Sequence, residues 1–197
     1  EDGATHQCNE DISLMRTIPG MVVINPCDDV EARAAVKAAY EYDGPCYLRF
    51  GRLAVPVIND EATYKFEIGK GVELRSGKDI TIFATGLCVS ETLVAADKLA
   101  AEGIDAQVIN IHTIKPIDEE LVVKAAAATG RVFTVEEHSI IGGLGSAVAE
   151  VLAEKCPTKL TRIGVRDTFG ESGPAKELLK KYKLDADGIY EQIKEAM

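Results

Sequence analysis

Tryptophan is absent from this 197-residue chain, histidine occurs only three times, and no two of the five cysteines are spaced as Cys-x-x-Cys. An odd set of thiols without that spacing offers neither a closed disulfide framework nor a zinc site, and it fits a reducing compartment. Equally missing is any block of Lys or Arg, while the formal charge is −10. An acidic surface repels phosphate backbones and anionic lipid, so nucleic acid and membrane are excluded as partners. The longest apolar runs, such as Ile80 to Ala84, are strand-sized and too short to span a bilayer. No charged-then-apolar leader opens the chain, and a cytoplasmic protein without a signal peptide is expected.

What is present is ordinary globular material, enough for one large or two small domains with a true core. Met21 to Asn25 is a short apolar run, followed by Asp28 and Asp29 as candidate helix caps. Ala32, Ala35, Val36, Ala39 and Tyr40 then recur at helical spacing and predict one apolar face. Tyr42-Asp43-Gly44-Pro45 ends that helix, and Cys46 to Phe50 predicts the next strand, giving a right-handed parallel unit. Leu53 to Ser76 has turn signals and no sustained period. From about residue 73, strands at 79–85, 106–111, 131–136 and 160–165 alternate with helices at 89–102, 118–129, 146–155 and 174–182. Such alternation predicts a largely parallel sheet with helices on both faces. Gly103 and Gly130 stand where helix ends call for a positive φ. Leu184, Ile189 and Ile193 mark the apolar side of a last helix over 184–197.

Several motifs sit at loop positions where chemistry collects. Asp2-Gly3-Ala4-Thr5-His6-Gln7 opens the chain, followed by Leu14-Met15-Arg16-Thr17-Ile18-Pro19-Gly20-Met21 and Gly44-Pro45-Cys46-Tyr47-Leu48-Arg49-Phe50-Gly51-Arg52. Together these resemble the pyrimidine-binding domain of the transketolase family of thiamine diphosphate enzymes. Ala84-Thr85-Gly86, Ile109 to Asp118, Thr134-Val135-Glu136-Glu137-His138, Gly142 to Ala147 and Asp167 to Gly173 resemble the family's C-terminal domain. The resemblance spans essentially the whole chain in order. It implies an α/β fold: the tail of a pyrimidine-binding domain over residues 1–60, a linker over 61–72, and a three-layer α/β/α C-terminal domain with a largely parallel sheet over 73–197. The chain opens inside a motif, at Glu1, and is expected to be a section of a longer protein or of a split enzyme.

The resemblance also implies an activity, the transfer of a two-carbon ketol unit between sugar phosphates. His6 and Asp2 would meet the sugar's hydroxyls and carbonyl side, His6 as a catalytic residue, in keeping with the hydrogen-bonding capacity of imidazole and carboxylate. Arg52 falls at the position of the family's phosphate-binding arginine, and a guanidinium fork suits a phosphate ester. Arg49 would face the other side of the strand, where a salt bridge accounts for it. The Gly142-Gly143-x-Gly145 turn lacks the pattern of a dinucleotide site, and tight packing of the turn against a neighbouring domain is the simpler expectation. The family's glutamate that activates the aminopyrimidine, the aromatic residues that hold that ring and the Gly-Asp-Gly metal motif have no counterpart here. Thiamine diphosphate and Mg2+ are therefore expected only in the complete enzyme, none on this section alone, which should be inactive without its N-terminal partner. A homodimer is expected. The alternatives are a section of 1-deoxy-D-xylulose-5-phosphate synthase, from which Cys8 and the Leu48 to Arg52 strand lean away, and a non-catalytic dimerisation or docking module.

Overall fold

The computed structural model describes residues 3–197. Two sheets organise the chain. In the smaller one, β1 (Val22–Ile24) pairs in parallel with β2 (Cys46–Leu48), and α2 (Asp29–Glu41) crosses between them. Asp28 explains both ends of this unit. Its Oδ1 accepts from Glu31 N at 2.8 Å and so caps α2, and its Oδ2 accepts from Ile58 N at 2.9 Å and Asn59 N at 2.8 Å. One carboxylate thus satisfies a helix start and fastens the returning chain. Burial alone would raise the Asp28 pKa, but the bonds from Glu31, Asn59 and Ile58 outweigh it and hold the carboxyl below its ordinary range.

The larger sheet has the strand order β3 (Val72–Arg75), β5 (Ala106–Asn110), β4 (Ile80–Ala84), β7 (Arg131–Ser139), β8 (Lys159–Val165). All neighbours run parallel except β3, which lies antiparallel on the edge. Side chains of a strand alternate between faces. Ile80, Ile82 and Ala84 accordingly pack with α3 (Cys88–Ala101) and with Ile189 and Ile193 of α7 (Ala186–Ala196). Phe83 packs on the opposite face with α4 (Glu119–Thr129) and α5 (Leu144–Lys155). The result is the expected three-layer α/β/α arrangement. Asp118 caps α4 by accepting from Leu121 N at 3.1 Å, and Gly103 and Gly130 take φ of 83° and 67° at helix ends. The last amphipathic helix is present, with Leu184, Ile189 and Ile193 buried.

Three elements depart from the expected pattern. A short helix, α1 (Asp11–Thr17), follows the opening loop; it is too short to show a helical period. β3 carries alternating charge on an edge and so lacks the apolar signature of its neighbours. β6 (Thr113–Lys115) leaves the larger sheet's register and joins the smaller one antiparallel to β1. The apolar face predicted on α2 is also only partly covered: Ala35 is buried, whereas Val36 and Tyr40 are 50% and 91% exposed.

What most directly positions the site is the carboxyl edge of the larger sheet, where open α/β sheets commonly hold ligands. Here that edge is covered by the chain's own N-terminal part. Asn25 N donates to His112 O at 2.8 Å and Ser139 N donates to Asn9 O at 2.8 Å. Ile12 and Val23 are fully buried in one core with Ile109, Ile111, Ile114 and Leu144. Each such side chain contributes about 1.5–3 kcal/mol on burial. The two sheets are therefore cemented by apolar packing as well as by hydrogen bonds.

Candidate functional site

Ala4–His6 forms a single 3-10 turn after Gly3, whose φ of 82° is open to glycine at little cost. His6 N donates to Gly3 O at 3.0 Å, and the His6 Nδ1 lies 3.1 Å from the Thr5 hydroxyl. The imidazole is exposed. Arg52 is exposed in the loop that leaves β2. Asp2, the third residue expected at the site, lies outside the described residues. A cleft of about 620 Å3 runs beside the turn, with Thr5, Gln7 and Glu10 on one wall and Asp167, Thr168 and Phe169 on the other.

Beneath this loop lies a buried ion cluster. Arg49 places its Nε 3.0 Å and 3.2 Å from the two oxygens of Asp11. Its Nη2 donates to Cys8 O at 3.0 Å and Glu137 O at 2.9 Å, and Nη1 stands 3.6 Å from the Glu137 carboxylate. Burial opposes its charge, but the Asp11 and Glu137 carboxylates overcome that and hold the Arg49 pKa above its ordinary value. Tyr47 Oη donates to Asp11 Oδ2 at 2.7 Å, and burial together with the Asp11 carboxylate pushes the phenol up to about 12. This one guanidinium ties the residue just past His6-Gln7 to α1 and to the end of β7. Arg49 stands one residue past β2 and makes the salt bridge expected of it.

On the neighbouring face of β7, Glu136 is fully buried. Its oxygens accept from Leu144 N at 2.6 Å and Gly145 N at 2.8 Å, the first amides of α5. Burial pushes the carboxyl up to about 7 in spite of those two bonds and the positive helix end. The glycine turn thus has an occupant: its helix terminus is filled by the protein's own carboxylate. A Cβ on Gly143 would overlap Glu136 Oε2, and one on Gly142 would overlap Ser13 Oγ, so these glycines are required by close packing. His138 completes the group, with Nδ1 3.7 Å from Glu136 and Nε2 3.8 Å from Asp11. Desolvation lowers its pKa.

A second fully buried carboxylate, Glu31, sits at the start of α2. It accepts from Cys27 N at 2.7 Å, from Asn110 Nδ2 at 2.8 Å and from the Tyr64 hydroxyl. His112 is buried against Phe66, ring centroids 4.3 Å apart, with Nδ1 2.9 Å from the Thr113 hydroxyl. These contacts are all internal to the fold. Asp11, Glu31 and Glu136 carried no signal as buried groups in the sequence, because each has the local surroundings of an exposed acid. Only the Gly-Gly-x-Gly turn hinted that something close must pass beneath it.

Comparison with known proteins fits this two-part layout. Residues 1–57 match the model of the transketolase pyrimidine binding domain, and residues 69–189 match that of the transketolase C-terminal domain. The chain belongs to the transketolase family. It is 50% identical over 188 residues to the 6-deoxy-6-sulfo-D-fructose transketolase subunit of Clostridium sp. (strain MSTE9), covering 95% of this chain and 58% of that one. It is 41% identical to the 1-deoxy-D-xylulose-5-phosphate synthase of Syntrophotalea carbinolica, covering 100% of this chain and 31% of the synthase. A solved structure described as a split gene transketolase, inactive beta4 tetramer, superposes with a TM-score of 0.94 at 49% identity, over 98% of this chain and 63% of that one. The chain thus spans about three fifths of the length of its split-type transketolase relatives. Within the transketolase framework the ion cluster is a junction: Asp11 and Arg49 come from the pyrimidine-binding match, Glu136, Glu137 and His138 from the C-terminal match.

Proposed function

We propose that this chain is the C-terminal part of a transketolase that moves a two-carbon ketol unit between sugar phosphates once an N-terminal section completes it. In this reading, residues 1–60 are the tail of the pyrimidine-binding domain, 61–72 a linker and 73–197 the C-terminal domain. The observation that carries the proposal is the exposed His6 turn, held on a buried ionic platform at the edge of a cleft. His6 contacts the sugar's hydroxyls and carbonyl side, Asp2 fixes a hydroxyl, and Arg52 anchors the terminal anion. That anion is a phosphate in the parent chemistry, and the name of the sulfo-sugar relative makes a sulfonate a second candidate for the same guanidinium fork.

Among the described residues, no three His, Cys, Asp or Glu side chains converge as metal ligands. The chain also has no Gly-Asp-Gly sequence. The described residues offer no such donor set, and in this reading the metal and the diphosphate are held by the partner section. Thiamine diphosphate supplies the carbon nucleophile when bound in the completed enzyme. This chain's part is to bind, orient and anchor the sugar, and we place the assembly in the cytoplasm as a homodimer of completed units. A second reading, the pyruvate-condensing synthase, rests on the 41% identity to such enzymes.

Arg52→Ala tests the assignment. In the completed enzyme it should raise KM for phosphorylated sugars at least tenfold and leave KM for unphosphorylated sugars nearly unchanged. Equal effects on both would remove Arg52 from anion binding.

A further inference from the structure

We propose that the segment Asp167 to Ser172, which follows β8, is a positioning element for the loop that carries His6. The inference rests on the sugar-binding role proposed for that loop. Two hydrogen bonds join the segments, one on each side of the histidine. Ala4 N donates to Ser172 Oγ at 3.2 Å, and Gln7 Nε2 donates to Glu171 O at 2.8 Å. A side chain of each segment also lies against a glycine of the other: a Cβ on Gly170 would overlap Gln7 Oε1, and a Cβ on Gly3 would lie 3.0 Å from Ser172 Oγ. The Gln7 and Ser172 side chains therefore seat directly on the facing backbone, where Gly170 and Gly3 leave room for them.

The latching segment is itself held from behind. Tyr182, just past α6 (Ala175–Lys181), has one hydroxyl proton to share between Phe169 O at 3.1 Å and Glu171 Oε1 at 3.2 Å. Lys181 Nζ reaches Glu171 Oε2 at 2.5 Å. A chain of contacts thus runs from α6 through Glu171 to Gln7. On its other side the loop is fixed at Cys8 O by Arg49. With both ends held, the turn has little freedom to swing His6 away from one position. Displacement of a reacting group by about 1 Å can cost 10²-fold in rate. His6 itself bonds to neither clamp, so the segment acts through the backbone on either side of it.

The test uses the chain assembled with its N-terminal section. Ser172→Ala removes one acceptor, and Gln7→Glu keeps the shape of residue 7 while abolishing its donor. The double variant should speed amide hydrogen exchange at residues 4–7 at least threefold and leave exchange in β7 and the global unfolding midpoint unchanged. It should also lower kcat/KM roughly tenfold, chiefly through kcat, by the same factor for phosphorylated and unphosphorylated sugars. Unchanged exchange at residues 4–7 would overturn the latch; faster exchange with unaltered kinetics would overturn its positioning role. If the wild-type assembly turns over no sugar, the functional reading fails, and the exchange measurement alone then decides whether the latch holds the loop.

Discussion

Arg49 and Asp11 form a two-point contact, with Nε within 3.2 Å of both carboxylate oxygens and the arginine side chain only 13% exposed. Removing one member of such a buried pair strands the other charge away from water. Arg49→Ala should therefore destabilise the chain by about 3–5 kcal/mol. Urea unfolding measures this directly. A loss below about 1 kcal/mol would mean that the cluster is solvated and holds nothing.

Glu136 gives the chain a distinctive pH response. Its folded pKa, about 7, is raised above the ordinary 4.5. The folded state therefore binds the extra proton, and the stability this contributes is full below about 4.5 and is lost as pH rises through about 7. His138, whose pKa is lowered, acts in the opposite sense. Comparison of wild type with Glu136→Gln isolates the carboxylate. The variant should show a shallower fall in stability between pH 4.5 and 7, by up to about 1.4 kcal/mol per pH unit. Parallel stability curves for the two proteins would contradict the assignment.

Two glycine substitutions separate backbone strain from crowding. Gly103 takes a φ of 83° with nothing near its missing Cβ, so Gly103→Ala should cost only about 1 kcal/mol. Gly143 has an unstrained φ of −81°, yet a Cβ there would displace Glu136 from the amides of α5. Gly143→Ala should cost about 3 kcal/mol or more. Thermal unfolding with matched enthalpies would rank them, and the reverse order would refute the packing argument.

Tyr64 donates its hydroxyl to fully buried Glu31, tying the chain after β2 to α2. Tyr64→Phe leaves that carboxylate one donor short, at a cost of about 1–3 kcal/mol. A neutral substitution in denaturant titration would show that water replaces the phenol.

Much of this architecture could be read from the sequence where the local pattern and the global fold agree. The alternation of apolar strands and capped helices beyond residue 79 is of that kind: Asp118, Gly103 and Gly130 each announce a helix end by its own local chemistry. Elements defined by distant partners were not legible. β6 exists because Thr113 to Lys115 meets β1 from far along the chain, and its three residues carry no period. Val36 and Tyr40 have the spacing of a buried face but no covering layer among the described residues. At the candidate site, the motif loop and Arg52 stood out by type and order. The platform beneath them did not, since Asp11, Glu136 and Glu137 are indistinguishable in sequence from surface acids.

The most direct measurement mixes the chain with its N-terminal section, thiamine diphosphate and Mg2+, and follows transfer from a ketose phosphate to an aldose phosphate. The account predicts turnover only when both sections are present, with a loss of at least 10²-fold in kcat/KM for His6→Ala. Turnover by the N-terminal section alone, or a His6→Ala enzyme as active as wild type, would contradict it.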